Sequence, residues 1–308
     1  MVRKIGASLL ILIIVLYAGV CWFFSSLIIT PKREANKDFT TAFLNVYGQP
    51  LDFEVTSVDD IPIVGWYFDN PMEGDCGVVI AHGWGSQRSG MLKFLPLVWT
   101  RGCDIAMYDQ RGMGESGGKY GTGGLMEKED FQIVNNWFQE KTGFRENQIA
   151  YLGESWGAVT VLHAASGRED IAFVLADSPF DTWNSAVTER AYRDYGTWID
   201  LLMPGVTSFV NWRTGVDFYK ANTKDAAAKV NAPIFLIHSQ GDQATASSQS
   251  VNISGVLNEN SVFHHTDWGS DHVEDVSNYP ERYDSLFSAF LKENVPNWGL
   301  SDSLMLMP

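Results

Sequence analysis

The stretch from Asn147 to Leu162 limits the possible folds of this chain more than any other segment. Residues 149–152 are apolar and predict a strand, and Gly-Glu-Ser-Trp-Gly at 153–157 leads directly into an apolar run that predicts a helix. A serine on such a sharp strand-to-helix turn projects its hydroxyl into a site. Flanking glycines are needed because strand and helix approach so closely that a Cβ would collide. The segment therefore predicts Ser155 as a nucleophile.

Residues 111–124 contain three further motif matches, and their context argues against each of them. Gly-Glu-Ser-Gly-Gly at 114–118 also fits G-x-S-x-G, but no helical run follows, so we interpret the segment as a loop and reject Ser116. The G-x-G-x-x-G at 112–117 lacks the helix that dinucleotide binding requires. A P-loop is disfavoured because Met113 replaces its first glycine and Tyr120 its Ser/Thr.

The first thirty residues differ in composition from the rest of the chain. Residues 5–29 hold no charged side chain and are long enough to cross a bilayer as one helix. The apolar run exceeds that of a signal peptide, so we predict an uncleaved single-pass anchor over 1–30. Basic residues flank both ends, which leaves the positive-inside rule undecided. The short basic N-terminus favours an inside orientation, which would place the downstream domain outside the cytoplasm.

Charge and cysteine content exclude several classes of function. The net charge is −15 and no stripe of Lys or Arg appears, which argues against a nucleic-acid partner. No cysteine or histidine spacing suggests a metal site. Cys76 and Cys103 each precede a predicted strand, and parallel pairing of these strands would bring the sulfurs within reach of a disulfide. The sequence favours two unpaired buried thiols over a disulfide.

After a linker or stalk over 31–50, the sequence predicts one large domain over 51–308. Its first two strands form an antiparallel hairpin, and apolar strands then alternate with helices. Such alternation predicts an α/β fold with a mostly parallel sheet covered on both faces. The eight predicted strands cover residues 51–58, 63–68, 77–81, 104–108, 149–152, 171–176, 234–238 and 262–265.

About fifty residues between the sixth and seventh strands exceed an ordinary connection. Residues 180–231 contain helical patches and three tryptophans, so we predict a small helical cap there. Ligands in such sheets bind at the carboxyl ends of the strands, which is where the candidate motifs fall. The cap would therefore cover the site.

A nucleophilic serine needs a histidine as base, and in this architecture the chain order is serine, acid, histidine. His272 lies in a loop after the last predicted strand, where an imidazole can reach the strand ends. We therefore predict His272 as the base, with His265 as the alternative. His163 falls within the helix after Ser155, and His238 ends a strand that should precede the acid.

Two aspartates compete for the role of the acid. Asp242 directly follows the 234–238 strand in a tight Gly-Asp turn, which suits the orientation of a base. Asp177 follows the preceding strand, but it precedes Ser178 and Pro179 and is equally explained as a helix cap. We predict Asp242.

Two amide N–H groups are candidates for stabilising the oxyanion of the tetrahedral intermediate. One belongs to Trp156, the residue after the nucleophile, and the other to Trp84, in the loop after the 77–81 strand. His82 precedes the serine in the chain, so it is interpreted as a structural residue.

Four motifs together resemble the α/β-hydrolase superfamily over about residues 51–294. They are His82-Gly83-Trp84-Gly85, the Asp109-to-Ser116 segment, the Ser155 turn, and the Asp242 and His272 pair. The chain looks most like bacterial membrane-anchored hydrolases related to depalmitoylase-like and cinnamoyl-esterase-like enzymes. The resemblance implies an α/β-hydrolase fold, a Ser155–His272–Asp242 triad, and a structural turn at 109–112. The chain departs from the family's pattern at His238-Ser239, where His-Gly is usual, and at residues 242–245, which lack the usual Val-Pro.

The expected activity is hydrolysis of a carboxylic ester or thioester through an acyl-enzyme, without cofactor or metal. The expected partners are a small-molecule acyl ester and, through the N-terminal helix, the lipid bilayer. A peptidase or amidase of the same fold and an inactive membrane-anchored binding protein are the alternatives. Trp84, Trp156 and the cap tryptophans are candidates for lining an apolar pocket, although packing explains the cap set equally well.

Overall fold

The computed structural model describes residues 2–72 and 74–299, and this part of the chain forms one eight-stranded sheet in the order β1-β2-β4-β3-β5-β6-β7-β8. β1 and β2 pair antiparallel, β2 joins β4 antiparallel, and all other pairs are parallel, as the alternating pattern predicted. The predicted fold class is confirmed. The strands are β1 (Leu51–Thr56), β2 (Pro62–Phe68), β3 (Gly77–Ala81), β4 (Asp104–Tyr108), β5 (Ile149–Glu154), β6 (Val174–Asp177), β7 (Ile234–Ser239) and β8 (Val262–Thr266).

Helices cover both faces of this sheet, and two hydrophobic cores result. In β3, Val78 and Ile80 face one core while Val79 and Ala81 face the other, because successive strand residues point to opposite sides. All four are buried, so the strand is a continuous apolar run. The α-helices are α1 (Val2–Ile29), α2 (Thr41–Tyr47), α3 (Leu95–Trp99), α4 (Glu127–Thr142), α5 (Trp156–Ala165), α6 (Trp183–Tyr195), α7 (Met203–Thr214), α8 (Thr223–Ala227), α9 (Ser248–Ser254), α10 (Asp275–Asn278) and α11 (Pro280–Asn294).

The segment between β6 and β7 holds α6, α7 and α8. An antiparallel bridge between Thr182 and Asn222 closes its base. A third hydrophobic cluster fills the space between this segment and the top of the sheet, with Trp183 and Phe218 packed ring against ring at 4.6 Å. We call residues 180–231 the cap from here on. Its boundaries, and those at residues 30 and 50, stay predictions, and residues 300–308 lie outside the described residues.

The N-terminal region is docked on the rest of the molecule. Within the described residues, one helix, Lys4–Ile29, is long and apolar enough to cross a membrane, although a signal sequence meets the same criterion. The C-terminal half of α1 packs against α7. The segment predicted as a linker or stalk contains α2, and Phe39, Phe43 and Tyr47 pack on the core that includes Phe68. The segment between α1 and β1 therefore packs against the domain that contains the sheet.

Cys76 and Cys103 form a disulfide, so the favoured expectation of two free thiols was wrong. The parallel register pairs Gly77 with Asp104, and this places the two preceding cysteines side by side with their Cα atoms 4.7 Å apart. The sequence predicted both strands but not their register, which is why it left the pairing open. Cys21 is buried and free.

Candidate active site

Ser155 stands between β5 and α5 on a backbone turn that few residues adopt. Its φ of 52° and ψ of −117° are strained for a residue with a side chain, and the turn is held because the Ser155 N–H donates to the carbonyl of Asp177 at 2.7 Å. A Cβ added at Gly153 would collide with the carbonyl of Gly157, and one at Gly157 would collide with that of Ala81. Both glycines are therefore needed for the close approach of strand and helix.

The structure brings Ser155, His272 and Asp242 together, although they come from three separate loops. His272 Nε2 lies 2.8 Å from Ser155 Oγ, and His272 Nδ1 lies 2.5 Å from Asp242 Oδ2. Asp242 Oδ1 accepts the backbone N–H groups of Ala244 and Thr245, each at 2.8 Å, which leaves Oδ2 directed at the imidazole. A hydroxyl that contacts an imidazole, which in turn contacts a carboxylate, is the arrangement that nucleophilic catalysis requires.

A second histidine contacts the same oxygen of the Asp242 carboxylate. His238 Nε2 lies 2.9 Å from Asp242 Oδ2, and His238 Nδ1 lies 2.7 Å from the hydroxyl of Ser250. The sequence analysis gave His238 no such role. Its signal was the position at the end of a strand, four residues before the acid, where a side chain can reach back to a turn.

These contacts shift the pKa values of the acid and the base in opposite directions. Burial alone would raise the pKa of Asp242, but the hydrogen bonds from His238 and His272 outweigh it and hold that pKa well below its usual range. Burial alone would lower the pKa of His272, but the hydrogen bond and charge of Asp242 outweigh it and raise the pKa above its usual value. The carboxylate is therefore ionised and stabilises an imidazolium as it forms.

A partly buried ion pair supports the site. Lys93 Nζ lies 2.5 Å from Glu154 Oε2, next to the nucleophilic turn, and donates to the carbonyl of Val273 at 2.8 Å, next to the histidine. Val273 has a φ of 53°, which a β-branched residue rarely adopts. Lys93 thus links the residue before Ser155 to the residue after His272. No sequence pattern predicts this role.

The alternative residues lie elsewhere. Asp177 accepts hydrogen bonds from Ser178 and Tyr283, and burial raises its pKa to about 6. His265, the alternative base, is paired with Ser247 through its Nε2 at 3.0 Å. Burial lowers the pKa of His163, on α5, to about 4. The described hydrogen bonds connect none of these three side chains to the Ser155 hydroxyl.

The candidate oxyanion donors, Trp84 and Trp156, lie close to Ser155 in the structure. Trp156 is the first residue of α5, where a backbone N–H has no acceptor within the helix. Trp84 follows Gly83, and a Cβ on Gly83 would lie 3.3 Å from that of Ser155, which shows how closely this loop approaches the turn. Among the described residues, no hydrogen bond occupies the Trp84 N–H. His82 holds the loop, because its Nε2 accepts the Gln110 N–H at 2.9 Å.

Ser116 lies in the loop between β4 and α4, as predicted. It is fully buried, its hydroxyl donates to the carbonyl of Asp109 at 2.5 Å, and it accepts the Val64 N–H at 3.0 Å. The Asp109 carboxylate in turn accepts the backbone N–H of Glu115 at 2.9 Å and an ion pair from Arg88. The loop around Ser116 is therefore held by hydrogen bonds within the protein, and the Ser116 hydroxyl is not free to react with a substrate.

A cavity of about 370 Å³ opens beside Ser155, within the range of ligand pockets. Trp84 and Trp156 form its wall at the nucleophile, with their rings 4.5 Å apart. Of the cap tryptophans, Trp183 lines the cavity, whereas Trp198 and Trp212 do not and are exposed. Most of the remaining lining is apolar and comes from α1, α6 and α7.

Comparisons with known proteins agree with this architecture. The family model of the X-Pro dipeptidyl-peptidases (S15 family) matches residues 79–209, less than half of the chain. An uncharacterised protein of Bacillus subtilis, YqkD, is 31% identical over 170 residues, which are 54% of this chain and 54% of that protein. The chain thus spans about half the length of the curated relatives it matches.

Two solved structures share the fold over most of the chain. The Pyrococcus furiosus esterase Pf2001 is 25% identical with a TM-score of 0.67, over 85% of this chain and 98% of that one. The acylaminoacyl peptidase of Pyrococcus horikoshii is 20% identical with a TM-score of 0.61, over 84% of this chain and 44% of that one. The sheet and its flanking helices are therefore shared with known hydrolases.

Proposed function

We propose that this chain, which has the fold of the α/β-hydrolase superfamily of serine hydrolases, cleaves carboxylic esters or thioesters through an acyl-enzyme at Ser155. The observation that carries the proposal is the placement of His272 within hydrogen-bonding distance of both Ser155 and Asp242. The closer resemblance to depalmitoylase-like and cinnamoyl-esterase-like enzymes stays a prediction.

The reaction has two steps. His272 Nε2 takes the Ser155 proton as Oγ attacks the acyl carbonyl, and the resulting oxyanion is stabilised by the N–H groups of Trp84 and Trp156. The carbon–oxygen or carbon–sulfur bond then breaks, and His272 gives its proton to the leaving alcohol or thiol. In the second step His272 takes a proton from water, hydroxide attacks the acyl-enzyme, and the free acid leaves as Ser155 regains its proton.

The composition of the cavity favours an acyl chain over a peptide. A bound peptide backbone requires hydrogen-bond partners along its length, whereas the cavity walls at Trp84, Trp156, Phe180 and Trp183 are aromatic. The match to a peptidase family nevertheless supports peptide or amide cleavage as the second candidate. A clear preference for aminoacyl anilides over p-nitrophenyl esters would establish the second candidate and overturn the first.

Labelling with a fluorophosphonate probe tests the nucleophile directly. Wild type and Ser116→Ala are expected to label, and Ser155→Ala is expected not to. Because both variants remove one serine hydroxyl from a Gly-Glu-Ser turn, each controls for the other. Failure of the folded wild type to label would favour the inactive binding protein instead.

We also propose that α1 stays uncleaved as a single-pass anchor and that the hydrolase domain lies outside the cytoplasm. The Cys76–Cys103 disulfide supports this, since such bonds persist in oxidising compartments. The packing of Cys21 beneath Leu202 supports retention of the helix, because cleavage would expose this surface. N-terminal sequencing of the membrane-bound protein should find the segment before Pro31; a start beyond it would show cleavage.

A further inference from the structure

The apolar N-terminal helix forms one wall of the cavity that contains Ser155. Phe24, Leu27 and Ile28 all line the cavity, and their spacing of three and four residues places them on one face of α1. Val187, Ala191 and Tyr195 line it from α6, also at helical spacing. We call the part of the cavity between α1 and α6 the slot; Ser155 lines the same cavity.

Specific polar contacts hold α1 in this position. The Tyr17 hydroxyl donates to the carbonyl of Leu201 at 3.0 Å, and the Gly121 N–H donates to that of Ile29 at 3.0 Å. Arg213 of α7 donates to the hydroxyls of Ser25 and Ser26 at 2.7 and 2.8 Å. Contacts along four turns fix the rotation of the helix, so the same residues always face the slot.

The length of α1 places the contacts with the cap at the depth of a membrane. A bilayer core of about 30 Å requires about twenty helical residues, so a span that begins at Ile5 ends near Phe24. The contacts with the cap already begin at Tyr17. The adjoining cap surface carries large apolar side chains that water would not favour: Trp198, Leu201 and Trp212 are 55%, 77% and 72% exposed. Tryptophan is enriched at membrane interfaces.

We propose, building on the ester hydrolysis proposed above, that the substrate is a long-chain acyl ester of a membrane lipid, whose chain enters the slot between α1 and α6 from the bilayer. Phe24 of α1 and Tyr195 of α6 both line the cavity and are in edge-to-face contact, with ring centroids 5.1 Å apart. An acyl chain that passes these rings runs along Leu27 and Ile28 until its carbonyl reaches Ser155, and Arg190 and Asp194 of α6 are the charged residues of the lining. α1 thus acts as part of the binding site as well as an anchor.

The chemistry follows the two steps given above. Ser155 Oγ bonds to the acyl carbon, the ester C–O bond breaks, and the lysolipid leaves with the proton carried by His272. Water then releases the fatty acid. The chain moves from bilayer to slot without exposure to water, which avoids a cost of about 0.8 kcal/mol for each methylene.

The test uses the full-length protein in vesicles of dioleoyl phosphatidylcholine, with release of oleate measured against hydrolysis of soluble p-nitrophenyl acetate. Leu27→Trp fills the slot from α1, and the ratio of oleate release to acetate hydrolysis is expected to fall at least about tenfold. Leu12→Trp adds the same ring on the same helix outside the cavity and should leave both rates at the wild-type level. Val187→Trp, on the opposite wall, should reproduce the effect, and fluorophosphonate labelling reports that each variant is folded.

The possible results separate this inference from the proposed function. An unchanged ratio in both slot variants, with acetate hydrolysis still dependent on Ser155, would overturn the slot and leave the esterase intact. Cleavage of a soluble palmitoyl-thioester peptide, with no release of oleate from vesicles, would also overturn the lipid substrate. Absence of any hydrolysis that depends on Ser155 would instead refute the proposed function.

Discussion

Ser116 and Ser155 stand in the same short pattern, Gly-Glu-Ser with a glycine two residues later, yet their hydroxyls meet different neighbours. Ser155 ends a strand and begins a helix, and its Oγ lies 2.8 Å from an imidazole. Ser116 lies in a loop, and its Oγ is occupied by the backbone of Val64 and Asp109. The comparison shows that the elements flanking the pattern decide its chemistry.

The largest expected difference between the two turns is in catalysis. Ser155→Ala is expected to lower kcat for a p-nitrophenyl ester by about 10⁶-fold, because the nucleophile is lost while the remaining binding groups stay. Its thermal stability should change little, since the turn loses only the hydroxyl and its one hydrogen bond to His272. Steady-state kinetics and a thermal melt check both points. If Ser155→Ala kept an activity near that of the wild type, Ser155 would have no greater role in catalysis than Ser116.

The next largest effect is expected at the acid. Asp242→Asn should lower kcat by about 10⁴-fold, because the imidazole loses the carboxylate that selects its tautomer and stabilises its cation. Asp177→Asn is the matched control, since it also removes a buried carboxylate at a strand end, and it should retain most of the activity. The reverse ranking of the two variants would make Asp177 the acid.

The pH dependence sharpens the comparison further. His272 accepts a proton only when neutral, and Asp242 raises its pKa above the ordinary value of about 6.5. Activity is therefore present above this raised pKa and is lost as the pH falls through it, so the acid limb of kcat/KM should lie above pH 6.5. Ser116→Ala should leave this limb in place, since no imidazole contacts that hydroxyl. A limb below pH 6 in the wild type would contradict the hydrogen bond to Asp242.

The glycines of the active turn should matter more for stability than for chemistry. Gly157→Ala is expected to destabilise the protein by about 1–3 kcal/mol, because its Cβ would meet the carbonyl of Ala81 on β3. Gly255→Ala is the control, since its Cβ would lie 3.7 Å from Asn252 O, an ordinary contact. Urea unfolding of both variants in detergent gives the difference, and equal midpoints would show that the strand and helix can separate.

The smallest effect on catalysis is expected for Ser116→Ala, in the buried loop. Ser116→Ala leaves the Val64 N–H and the Asp109 carbonyl without a partner, which should cost about 1–3 kcal/mol of unfolding free energy. The kcat should stay within about twofold of the wild type, well below the tenfold change that 1.36 kcal/mol of barrier would produce. A large loss of kcat in a variant that still melts cooperatively would give this loop a catalytic role.

Local patterns predicted the strands and the candidate site residues because both depend on short stretches of sequence. Ser155, Asp242 and His272 each follow a strand, and parallel strands bring their carboxyl ends to one edge. Contacts between distant segments had no such signal. The register that joins Cys76 to Cys103, the link from Lys93 to Val273 and the place of Leu27 in the cavity wall arise only when separate elements pack together.

Cys76 and Cys103 are 27 positions apart in the chain, and the bond between them joins the residues that immediately precede β3 and β4 and closes a loop that contains β3 and α3. Such cross-links contribute about 2–4 kcal/mol, a large share of the stability of an ordinary domain. Newly made molecules in a reducing cytosol lack this contribution. On the proposal that the domain lies outside the cytoplasm, delivery to an oxidising compartment is also the final step of maturation, and molecules that are not exported are the ones most readily unfolded and degraded.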